Sequence, residues 1–399
     1  MQKIKFLPIF GRLLPWQQIL VAGSIFAYFL LKTTGADATA AKIVGFSNIS
    51  LDRRSSLQLI AGADNLDPDL KVPPPRESIP LPPPPPSPPA QTPPLPGANS
   101  GVGNTDVKPV SGTPFAVLEE LQPKIHSDWN NSGQVNRKIE STAIFRLNNG
   151  DKVLFTTGYN TYEQADTKTV SNIPVGINWE TKINSLKISP GVGVDISSGS
   201  TTPNFNLKVD YPLVTGLTVS ADLQQGAYNF NAKTITNQIS ALRYGPSIFW
   251  QMDKDTSLFS SLKLGNYSDN NQEQQSFSRI EHKLGEFSVA GNVFTWNYKN
   301  PTDKGYFAPS DFLVYTGEVA WEGSVIRDTL SCRLSVSLGG QNVNATSSDA
   351  GGYQTKCTAK LSPNFEADFG YSFSNIKSTV PVISTANSQS ISGQIRVKF

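Results

Sequence analysis

The chain has 399 residues, and its 34 Lys and Arg against 32 Asp and Glu give a formal net charge of +2. That balance excludes a nucleic-acid surface, and 38% hydrophobic residues with a mean hydropathy of −0.26 exclude a bundle of membrane helices. Two Cys and two His leave too little material for a multi-residue metal site, and no cofactor is expected. A composition this polar does suit a transmembrane β-barrel, in which only alternate residues face lipid.

At the amino terminus, Lys3, Lys5 and Arg12 precede an apolar run from Ile19 to Leu31, and small residues follow as far as Ala38-Thr39-Ala40. Charged, apolar, then small is the order of a secretory signal peptide, expected over residues 1–40 with cleavage after Ala40. The alternative is an uncleaved anchor, for which the run is short of the ~20 apolar residues a span needs. Removing residues 1–40 takes away Lys3, Lys5, Arg12 and Lys32 with Asp37, a net of +3, and leaves 2 − 3 = −1. Residues 41–72 form a short arm without a motif. Pro73 to Pro96 then holds 14 of the 29 prolines. Proline fixes φ and lacks a donor, so this stretch is expected to be a polyproline II spacer of about 75 Å. A Gly/Ser/Asn stretch continues it to residue 112. The spacer either reaches an inner-envelope partner or is a tether without one.

From about Ala116 the texture changes. Segments of about ten residues alternate apolar and polar side chains, as strands with unlike faces do. Their connections alternate too. Tight turns at Asn148-Gly150, Asn184-Ser185, Val214-Gly216, Asp253-Asp255, Gly285-Glu286, Gly323-Arg327 and Ser362-Pro363 are interleaved with longer polar loops. The longer ones are Glu163–Val170, Ser197–Thr202, Asn229–Thr234, Ser268–Gln275, Lys299–Pro309, Asn342–Gly352 and Ile376–Asn387. Fifteen strands follow Lys138, and Ala116 to Trp129 supplies a sixteenth, although Pro123 interrupts it. The predicted fold is therefore all-β: a 16-stranded antiparallel transmembrane β-barrel over residues 113–399.

The last strand closes the argument. Ile391, Gly393, Ile395, Val397 and Phe399 share one face, and Ser392, Gln394, Arg396 and Lys398 the other. An amphipathic strand ending in an aromatic residue resembles the closing strand of outer-membrane β-barrels. That resemblance implies recognition of Phe399 by the barrel-assembly machinery. It also implies an outer-membrane location in a Gram-negative-type envelope, with the arm and spacer in the periplasm. In lipid every backbone group must be paired within the protein, so the preceding strands must close on this one. A soluble sandwich would carry the same alternation but would seal its Val, Leu and Phe rows between two sheets.

Two further readings concern side chains. Cys332 and Cys357 flank a hairpin centred near residue 345 and fall opposite each other on the apolar row. They form either a cross-strand disulfide or two thiols facing lipid. The other row carries both signs of charge: Lys182, Lys208, Arg243, Lys263, Arg279, Arg333, Lys356 and Arg396 with Asp210, Asp222, Glu281, Glu318, Glu322, Glu366 and Asp368. These are expected to line a hydrated lumen without strong selection for one ion sign. The Glu366/Asp368 and Glu318/Glu322 pairs have the carboxylate chemistry of glycoside hydrolysis but read better as lumen wall. With only His126 and His282, no nucleophile constellation can be assembled, so no enzyme is expected. The Gly191-x-Gly193 step lies inside a strand and is too little for a phosphate loop.

One stretch is more specific. Gly305-Tyr306-Phe307-Ala308-Pro309-Ser310-Asp311-Phe312 resembles the Gly-Tyr-Phe-Ser-Pro-Gln-x-Tyr motif of the carboxy-terminal barrel of cellulose synthase operon protein C. The resemblance covers about residues 115–399. It departs at Ser310-Asp311-Phe312, and the proline spacer stands in place of that family's tetratricopeptide superhelix. It implies a sixteen-stranded pore exporting an exopolysaccharide, a cellulose-like glucan, with Gly305, Tyr306, Phe307, Pro309 and Phe312 at the extracellular mouth offering aromatic faces to sugar rings. The implied partners are outer-membrane lipid, the polysaccharide chain and a cell-wall or inner-membrane synthase partner. The alternative is a general diffusion porin for small solutes, tethered by the spacer.

Overall fold

A computed structural model describes residues 115–197, 199–302, 304–377 and 387–399. The signal peptide, arm and spacer expected over residues 1–112 lie outside them, as does most of the loop expected at Ile376–Asn387. The described chain runs through β1 Ala116–Asn130, β2 Val135–Leu147, β3 Lys152–Gln164, β4 Thr167–Ile183, β5 Leu186–Ser197, β6 Ser200–Val214, β7 Leu217–Ala227 and β8 Ser240–Gln251. It continues through β9 Thr256–Tyr267, β10 Gln272–Leu284, β11 Phe287–Tyr298, β12 Phe312–Ile326, β13 Leu330–Val343, β14 Thr346–Ser362, β15 Phe365–Ser374 and β16 Ser388–Lys398. Each strand pairs antiparallel with its sequence neighbours, and β1 pairs with β16, so the sheet is a closed barrel of sixteen strands.

The seam between first and last strands runs from Glu120 opposite Lys398 to Asn130 opposite Ser388, and the Phe399 N–H donates to the Glu119 carbonyl at 3.0 Å. Pro123 does not end β1. The β1–β16 ladder skips Gln122 and Pro123 and resumes at Lys124 opposite Gln394, while the β2 side stays in register. A missing N–H thus costs one local gap rather than a strand.

The exterior is apolar. Ile177, Trp179, Val192, Phe205, Leu334 and Leu338 stand exposed on it, Leu338 at 59% and Val192 at 60%. Exposed rows of this extent belong in lipid, and among the described residues no second sheet covers them. His282 is also outward, beside the turn at Asp253–Asp255, where its Nδ1 shares a 2.9 Å hydrogen bond with Thr256 Oγ1. That position keeps it near one end of the barrel.

The two ends differ less than the sequence suggests. Strands were expected to stop at polar loops 163–170, 197–202 and 342–352. Instead β3–β4, β5–β6 and β13–β14 extend through these residues, and tight turns remain at 165–166, at Gly199 and at 344–345. Positive φ at Asp166, Gly199, Asn344 and Ala345 makes the turns. Polar residues end a lipid-facing row, but they do not end a ladder, whose hydrogen bonds are backbone alone. Among the described residues, long connections remain at 228–239 and between β11 and β12, both at the same end.

Candidate functional site

The lumen has two unlike walls. Along β8–β13 the inward positions form a solid block near the long-loop end. Phe277, Phe294, Trp296, Phe312 and Val314 project inward and pack with Tyr267, Tyr298, Tyr306, Phe307, Val343 and Ile376, all buried. Phe294 lies 6.0 Å from Phe312 and Phe307 lies 5.4 Å from Phe312, both edge-on, the arrangement that aromatic quadrupoles favour.

An ion pair sits inside this block. Arg243 donates to Glu273 through Nε at 3.0 Å and Nη2 at 3.1 Å, and the two side chains are 5% and 0% exposed. The Glu273 carboxylate also accepts from Trp296 Nε1 at 2.7 Å and Tyr267 Oη at 2.8 Å. Four donors on one buried carboxylate offset its loss of water. Toward the turn end of the same wall, Arg279 donates to Glu281 and, at 2.8 Å, to Glu318, with a further bond to Asn292 at 3.0 Å. Arg333 reaches Glu281 at 3.2 Å, Glu318 at 3.3 Å and Glu322 at 3.3 Å.

The loop at 228–239 folds over the same end. Its short helix, Ala232–Thr236, is capped by Asn231, whose side chain accepts from the Thr234 N–H. Ala232 and Ile235 pack on Tyr162 and Val170 of β3 and β4. The opposite side is tied to the loop at 299–311: Asn231 Nδ2 donates to the Gly305 carbonyl at 2.6 Å and Asn237 Nδ2 to the Lys304 carbonyl at 2.9 Å. Gly305 has φ of +108°, and a Cβ there would strike the Lys233 side chain, so only glycine fits. Tyr306 is buried beneath, donating from its hydroxyl to Asp269 Oδ2 at 2.8 Å and accepting from Asn271 Nδ2 at 3.1 Å. Burial pushes its phenol well above the usual tyrosine range.

The wall β2–β8 is wet. It lines a cavity of about 690 Å³ whose inward groups are amides and paired charges. Lys187 meets Glu180 at 3.0 Å, and Lys208 meets Asp210 at 3.7 Å. Asp195 accepts from Asn172 and Asn229 on one oxygen, each at 3.2 Å, and from Asn204 on the other at 2.9 Å.

No family model matches the chain, and no curated protein matches it. Among solved structures it is similar to a bacterial polysaccharide outer-membrane secretin, at 10% identity with a TM-score of 0.60, over 71% of this chain and 98% of that one. The fold is that of an outer-membrane barrel. Two Pseudomonas aeruginosa proteins, OccK7 (OpdD) and OccK5 (OpdH), align less closely. Their TM-scores are 0.43 and 0.39 and their identities 9% and 10%, each over 71% of this chain and 98% of its own.

In this barrel the charged residues picked out from sequence divide between the walls. Lys208, Asp210, Asp222 and Arg243 border the cavity, and Lys182 lies opposite Lys187 at its turn end. Lys263 is inward, opposite Gln275. Arg279, Glu281, Glu318, Glu322 and Arg333 are joined in the ionic cluster, with Lys356 opposite Arg333. Arg396 pairs with Glu366 at 3.1 Å and Asp368 at 2.9 Å. Cys332 and Cys357 face each other on the outer row and are joined as a disulfide. The motif Gly305, Tyr306, Phe307, Pro309 and Phe312 does lie at the long-loop end. Its rings, however, are buried against one another, so the expectation of free aromatic faces does not hold: Tyr306 is 1% exposed, Phe307 2% and Phe312 0%. Sequence reasoning missed Glu273 and the amides Asn160, Asn172, Asn178, Asn204 and Asn206. The signal for the amides was present in their recurrence on the inward rows of β3–β6.

Proposed function

We propose that this barrel carries a neutral, hydroxyl-rich polysaccharide, a cellulose-like glucan, outward across an outer membrane. The observation that carries this is the wet wall: a lumen cavity faced by amides and by charges of both signs, within a cylinder whose outside is apolar. Such a wall offers hydrogen bonds to hydroxyls, and its opposite charges nearly balance. Two likenesses support the same direction. The Gly305–Phe312 stretch resembles the motif of cellulose synthase operon protein C, and the secretin of similar fold is described as a polysaccharide protein. On this reading the arm and spacer stand in the periplasm facing a cell-wall or inner-membrane synthase, and Phe399 is the handle for barrel assembly.

The mixed charge of the lumen favours a second reading, a diffusion porin for small solutes of either sign. Planar-bilayer recording on the purified protein separates the two. Export predicts an ionic current interrupted by millimolar cellohexaose. A steady, uninterrupted current at that concentration leaves the porin reading.

A further inference from the structure

The Gly-x-Gly step of β5 has a purpose in this lumen. Gly191 and Gly193 face inward, opposite Asn178 and Gly176 of β4 and Asn206 and Asn204 of β6. A Cβ at Gly191 would collide with the side chains of Asn178 and Asn206, and one at Gly193 with Asn204. The missing side chains therefore let three amides lean in from both neighbouring strands and lie against the wall. Above them the Asn160 side chain, only 4% exposed, borders the cavity with its Oδ1 unpartnered while its Nδ2 donates to Glu140 at 3.2 Å. Asp195, beside the shelf, accepts from the three amides Asn172, Asn229 and Asn204, which hold it in place.

We infer that this shelf, centred on Asn178, Asn204 and Asn206 over Gly191 and Gly193, is a binding subsite for an uncharged sugar ring inside the barrel. The inference rests on the export reading and makes it specific. Amide groups each present a donor and an acceptor, the pattern that ring hydroxyls match. A carboxylate- or amine-bearing sugar would instead lose water against three amide side chains that carry no charge to replace it. Because the amides lie over the glycines, the shelf they form is flat, and a ring rests on the amides. The shelf also places the polymer on the β4–β6 wall, away from the aromatic block.

The test is single-channel recording with cellohexaose, a galacturonic acid hexamer and a glucosamine hexamer, which are neutral, anionic and cationic. The neutral hexamer is expected to give the longest blocks in the wild type. Replacing two amides, Asn178→Leu with Asn206→Leu, should shorten those blocks about tenfold, the loss of two or so net hydrogen bonds. Asn206→Asp, which keeps the shape, should shorten the neutral blocks and lengthen those of the cationic hexamer. Val192→Leu, on the outer face of β5, should leave all three unchanged. Neutral blocks of wild-type length in both amide variants would overturn the subsite and leave export standing, as would charged hexamers blocking the wild type as long as the neutral one. A wild type that no hexamer blocks removes the export reading and the subsite together.

Discussion

The wall β8–β13 and the wall β3–β7 are made of the same alternating strand, yet they use their inward positions in opposite ways. One packs Phe, Trp and Tyr around a buried Arg243–Glu273 pair and joins its remaining charges in a cluster. The other lays amides over glycine and leaves a cavity. Both are antiparallel and apolar outside. What differs is whether the inward side chains satisfy one another or wait for something else. A barrel of sixteen strands does not need its lumen filled for closure, so the filled half supports the fold and the open half, on the export reading, carries the polymer.

Breaking the filled wall should cost most. Glu273→Leu strands Arg243 in an apolar block and is expected to lower stability by about 3–5 kcal/mol, seen as a shifted urea midpoint by tryptophan fluorescence. Phe294→Ala, beside Phe312 and Trp296, should cost roughly 3 kcal/mol in the same measurement and raise the open-channel current by hollowing the block. On the wet wall, Asn178→Ala should stay within about 1 kcal/mol of wild type. A result of equal size on both walls would erase the distinction.

A finer test uses pH. The Tyr306 hydroxyl is held protonated by burial, so its folded-state value lies above that of the unfolded chain. The folded form then binds the proton more tightly. Its contribution is complete below about pH 10 and declines as pH rises beyond that. Urea midpoints should fall above pH 10 in the wild type, and Tyr306→Phe should flatten that slope.

The outer face of the cylinder was legible from residues because lipid imposes one rule on every strand: alternate positions are apolar. The inner face obeys no single rule. In β11, Phe294 and Trp296 point inward while Val293 points out, so alternation disappears where the aromatic block begins. Likewise, the polar residues at 163–170 and 342–352 look like loops because a lipid-facing row has ended, while the strand continues beyond it. The amides of β3–β6 are ordinary loop or surface residues in composition. Only register shows that they converge over Gly191.

The seam between β1 and β16 carries a consequence for how the barrel closes. Gln394 donates to Gln122 across 272 residues of chain, so the partner edge for β1 is the strand most distant from it in sequence. Hairpins between neighbouring strands can form locally, but the ring cannot shut until β16 is in place. Until then both terminal edges present unpaired backbone groups. Without that last pairing the sheet stays open, so any shortening of β16 would leave the whole molecule in that state.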